Sequence, residues 1–104
     1  MTPVLVLTTV GAAFDAKSLA RELVDLRVAA CVNILPAVQS IYRWKNAIED
    51  DAEQLLVIKS VEERLPELKA ALFQRHPYEV PEFLVVQVAE LSADYREWLV
   101  GSLT

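Results

Sequence analysis

AACVNILPAVQSIYRW, residues 29–44, is rich in β-branched and aromatic residues and reads as a strand, with Pro36 in its middle removing a ladder donor. A strand with that interruption must bulge there or lie at a sheet edge. LLVIKS (55–60) resumes strand composition after the polar run KNAIEDDAEQ (45–54), in which Asn46 tolerates a left-handed backbone. The two runs therefore read as the arms of one extended hairpin. Val38, Tyr42 and Trp44 share one side of it and Ile41 takes the other, so both sides carry apolar groups. A ribbon of that kind needs a cover.

Toward the N-terminus, PVLVLTTV (3–10) is aliphatic and β-branched, which predicts a strand buried on both faces and central in its sheet. Asp15 is placed to cap a helix over about 15–28, with Leu19, Leu23 and Leu26 on one stripe. Toward the C-terminus, Ser60 and Glu63 have capping-box spacing, and Leu65, Leu68 and Leu72 supply a second helical stripe. After HPYEVPE (76–82), FLVVQV (83–88) predicts a fourth strand, and SADYREWLVGSL (92–103) a short helix docked through Tyr95, Trp98 and Leu99. The order is β-α-β-β-α-β with a tail helix, the ferredoxin-like α+β arrangement in a single domain spanning 1–104. Two helices can cover only one face of its antiparallel sheet, so the other face predicts self-association.

The 104 residues carry 54% apolar side chains, and the mean hydropathy is +0.28, more than a monomer of this size needs. A net charge of −5 repels nucleic-acid backbones and acidic lipid surfaces, so neither is an expected partner. TPVLVLTTV (2–10) is too short to span a bilayer and follows no basic run, so a secretory signal is not expected and the cytoplasm is. Cys31 is the sole cysteine, which excludes an internal disulfide and any CxxC pair. Only Gly11 and Gly101 occur, so no phosphate-cradling glycine loop can be written.

The sole histidine, His76, stands where Pro77 must end a helix. It can satisfy last-turn carbonyls, or serve as a metal ligand with Glu79, Glu82 and Cys31 if symmetry brings copies together. A second constellation, Tyr42, Trp44, Glu53, Lys59, Tyr78 and Trp98, has the make-up of a ligand cleft between subunits; its bland alternative is packing. The acidic run at Glu49, Asp50, Asp51 and Glu53 lacks the spacing of a calcium loop and reads as a solvated turn. No motif ties His76 to Ser40, Ser60 or Cys31 as a nucleophile, so the chain is not expected to be an enzyme.

AACVNILPAVQSIYRWK, EDDAEQLLVIKS, HPYEVPEFLVV and YREWL, in this order, resemble the CutA family of divalent-cation tolerance proteins, over about residue 3 to the end. The resemblance implies a cytoplasmic, non-enzymatic homotrimer of ferredoxin-like subunits similar to the PII signalling proteins, joined edge to edge by their long hairpins. It also implies tolerance of copper and other divalent metals, with no required cofactor and Cu(2+) or another divalent cation as ligand. Two departures stand out. Asn46 replaces the glycine of many members, and the thiol and paired histidines through which some members bind copper match Thr8 and Arg75 here, leaving His76 alone. A second reading is a PII-like regulatory module that binds a small anionic metabolite or a protein in inter-subunit clefts, with Lys59 and the tyrosines as contacts.

Overall fold

The computed structural model describes residues 1–104. Strand β1 (Pro3–Gly11) is followed by helix α1 (Ala16–Asp25), strands β2 (Cys31–Trp44) and β3 (Ala47–Val61), and a single 3-10 turn (Glu62–Arg64). Helix α2 (Leu65–Arg75), strand β4 (Leu84–Gln87) and helix α3 (Ala93–Gly101) complete the chain. The sheet order is β2-β3-β1-β4 with every neighbouring pair antiparallel, so β1 is interior as its composition predicts. This is the α+β ferredoxin-like arrangement.

Alternation along the strands gives the sheet two different faces. Val4, Val6 and Val10 of β1 and Leu56 and Ile58 of β3 form the main core with Leu19 and Leu23 of α1 and Leu68 and Leu72 of α2. The register aligns Leu5, Leu7, Leu55, Val57, Leu84 and Val86 on the opposite face, together with Cys31 and Leu35 of β2. No helix covers the middle of that face. Helix α3 closes only one end of it, where Leu99 and Leu103 pack on Ala30 and Val61.

The hairpin forms as its composition predicts, and further. The β2–β3 register shifts between Leu35 and Val38, which places the bulge at Pro36 on an edge strand. Lys45 and Asn46 alone connect the arms, at φ 49° and 66°, the positive values of a two-residue hairpin turn. A turn that short leaves Glu49–Glu53 inside β3. The acidic run is therefore strand rather than solvated turn, with Glu49, Asp51 and Glu53 on one side and Asp50 on the other.

Three further expectations are corrected. Helix α1 ends at Asp25 because Arg27 takes φ 58°, which turns the chain so that Val28 and Ala29 both donate to Leu23 O; Leu26 is consequently exposed. Ser60 and Glu63 form no capping box. Ser60 Oγ is buried and donates to Val28 O at 2.7 Å, while Glu63 Oε1 accepts from Thr2 N at 3.0 Å. Helix α3 docks through Leu99, as expected, with Leu103 just beyond its end, whereas Tyr95 and Trp98 stay substantially exposed and lie against each other with centroids 5.3 Å apart.

Candidate ligand cleft between the hairpin and the 76–82 strap

Pro77 stops α2 at Arg75, and His76 turns extended (φ −72°, ψ 133°) while its N–H still donates to Leu72 O at 2.8 Å. The ring does not reach the last-turn carbonyls. It lies on the edge of β1, just past the last β4 pair at Leu7–Leu84, where the sheet would otherwise leave backbone unpaired. Tyr78 N–H donates to Nδ1 at 3.1 Å, so the neutral ring carries its proton on Nε2, which donates to Thr9 O at 2.9 Å with Thr8 Oγ1 at 3.2 Å. Burial holds the imidazole pKa below its usual value, partly opposed by the Thr9 carbonyl and the Glu53 charge. His76 thus fastens the strap to the sheet.

From that anchor residues 77–82, stiffened by Pro77 and Pro81, cross to the face of the sheet that α1 and α2 leave open. There Tyr78 OH donates to Glu53 Oε2, and on the ribbon Tyr42 OH donates to Asp51 Oδ2. The hydrogen bond to Asp51 and its charge push the Tyr42 phenol up to about 12, and burial together with Glu53 pushes Tyr78 up as well. Burial, with Glu53 nearby, likewise raises the Glu82 carboxyl. Both tyrosines stay protonated donors at neutral pH.

Between strap and ribbon lies a cleft of about 600 Å³. Tyr42 and Trp44 form its ribbon wall, Tyr78, Glu79 and Glu82 its strap wall, and Thr9, Asp51 and Glu53 its floor. Four of the expected cleft residues, Tyr42, Trp44, Glu53 and Tyr78, therefore meet, and Glu79 and Glu82, expected as metal ligands, join them. Lys59 and Trp98 do not line it within one chain: Lys59 Nζ sits 5.6 Å from the Tyr95 ring centroid, and Trp98 is on α3. Thr9, Ser40 and Asp51 are cleft residues that sequence reading missed, Asp51 because the acidic run was read as a loop.

The metal set expected around His76 is dispersed. Cys31 is half-buried and pairs across the sheet with Lys59, which pairs with Leu5, four residues along β1 from Thr9 and so about 13 Å from the His76 anchor. Both imidazole nitrogens are already hydrogen-bonded, and no three His, Cys, Asp or Glu side chains gather closely enough to hold an ion. Within one chain no soft or borderline copper set is gathered. No lining side chain is basic, and the one ion pair in the molecule, Arg75–Glu22, joins α2 to α1 away from the cleft.

The family model described as CutA1 divalent ion tolerance protein matches residues 4–102. The chain is 42% identical over 95 residues to the divalent-cation tolerance protein CutA of Thermus thermophilus, covering 91% of this chain and 92% of that one. It is 36% identical over 99 residues to the protein CutA, chloroplastic, of Arabidopsis thaliana, covering 95% of this chain and 54% of that one. Among solved structures, that of CutA1 from Oryza sativa superposes with a TM-score of 0.95 at 35% identity, over 100% of this chain and 95% of that one.

Proposed function

Because the chain belongs to the CutA1 divalent ion tolerance family, we propose that it is a non-enzymatic tolerance protein that works as a homotrimer. The observation that carries the assembly is the open face of the sheet. Leu35, Leu84 and Val86 are 42%, 55% and 42% exposed there, and the register joins them to Leu5, Leu7, Leu55 and Val57 in one apolar patch. Leaving it in water is unfavourable, and symmetric copies of the same patch cover one another.

Two observations support the non-enzymatic reading. Ser40 lines the cleft without a hydrogen bond to a base, and the only imidazole is committed to the strap. Divalent ions meet the oxygen donors of the cleft, Asp51, Glu53, Glu79 and Glu82, rather than His76 or Cys31. That donor type suits hard, hydrated ions, and with no three donors gathered in one chain the affinity is weak, about millimolar. The anion-binding reading is not favoured, because four carboxylates and no basic side chain face the cleft.

No helix is long and apolar enough to cross a membrane, and the unpaired Cys31 accords with the reducing cytoplasm, the compartment we propose. Light scattering tests the assembly, with an expected mass of three times 11.7 kDa. A folded monomer at micromolar concentration overturns it. Calorimetric titration with Mn(2+) and Cu(2+) tests the metal reading: Glu53→Gln is expected to weaken Mn(2+), and loss of Cu(2+) binding in His76→Ala alone contradicts it.

A further inference from the structure

We propose that the cleft binds an organic ammonium ion, with the aromatic walls holding its body and Glu53 receiving its charge. Three rings, Tyr42, Trp44 and Tyr78, face one space of about 600 Å³, a volume suited to a small organic molecule rather than a bare ion. Aromatic faces attract alkylammonium groups and do nothing for a hydrated metal ion.

The floor supplies the second argument. Glu53 lines the cleft and is only 5% exposed, and Tyr78 engages one of its oxygens; no buried side-chain oxygen in the molecule is left without a partner, so Oε1, which has none in the chain, keeps a small accessible surface. This carboxylate lies beside Asp51 on the cleft floor, shares the cleft with Glu82, and has no cation paired with it in the chain. An ammonium group repairs this with N–H donors and a single positive charge. It needs one or two oxygen acceptors where a metal ion needs several more, and a few are what the cleft has. The proline-stiffened strap, pinned by His76, holds Tyr78 and Glu53 in place before any ligand arrives, so little order remains to be imposed on binding. The inference concerns the same cleft and the same Glu53 as the metal reading above; the two part at Trp44, whose loss weakens an ammonium ligand and leaves Mn(2+) unchanged.

The test titrates the assembled protein with 1,4-diaminobutane, following heat and Trp44 fluorescence in a Trp98→Phe background. The isosteric diol 1,4-butanediol and NaCl at matched ionic strength serve as controls. Saturable binding of the diamine is expected, weakened at least 10-fold by Glu53→Gln and about 5-fold by Trp44→Leu, with Asp94→Asn on α3 unchanged. Should Glu53→Gln not fold, Trp44→Leu and Glu79→Gln, both at the cleft wall, carry the same expectation. Absence of saturable binding, equal binding of the diol, or affinity indifferent to Trp44 and the cleft carboxylates would overturn the proposal.

Discussion

At the scale of the residue, His76 is a fastener whose chemistry can be measured. Its ring bonds to Thr9 O and to Tyr78 N–H are largely out of water, so His76→Ala is expected to destabilise the fold by about 2 kcal/mol in urea titrations. Burial depresses the folded-state pKa, so the native state binds fewer protons than the unfolded chain below pH of about 6.5. The stability this residue contributes is therefore full above that pH and is lost as pH falls toward the depressed value. The urea midpoint of the wild type should drop more steeply between pH 7.5 and 5 than that of His76→Gln; parallel profiles would contradict the assignment. The end of α2 at this residue was legible from Pro77. What the ring would meet was not, because Thr8 and Thr9 lie far back along the chain and nothing local to HPYEVPE names them. Glu53 was legible as a polar cleft residue, but not its specific bond with Tyr78, which lies 25 residues along the chain.

Among the elements, the hairpin shows where composition misleads. Its outer half carries few covering neighbours, so solvent-facing positions in β3 are acidic and the run resembles a loop, although the two-residue turn keeps it in register with Val38–Trp44. Pro36, by contrast, announced its bulge correctly, since a missing N–H has few places to go. Lys45 and Asn46 both hold positive φ, which β-carbons disfavour, and Asn46→Gly should raise stability by about 0.5–1 kcal/mol, read as a shift in the urea midpoint. Helix α3 was foreseen, and its docking in part. Of Tyr95, Trp98 and Leu99, the three contacts the spacing suggested, only Leu99 reaches Ala30 and Val61, joined by Leu103. Leu99→Ala should accordingly cost about 2–5 kcal/mol, and Trp98→Ala distinctly less in the same assay.

For the whole molecule, the apolar open face was legible from counting layers: two helices, two sheet faces, one left over. Its apolar stretch makes a sharp test, since Leu84→Asp puts a carboxylate at a position 55% exposed in the single chain and should yield folded monomers by light scattering, leaving far-ultraviolet circular dichroism intact. The interior position of β1 has a consequence in time. Its partners are β3 and β4, with Pro3 opposite Val61 and Val4 opposite Gln87, so the segment made first waits for segments made much later. At cellular synthesis rates the aliphatic β1 is without its β3 partner for roughly 3–10 s after translation, while the β2–β3 hairpin can close within microseconds of emerging. The nascent chain thus holds an unshielded apolar segment outside the ribosome for those seconds.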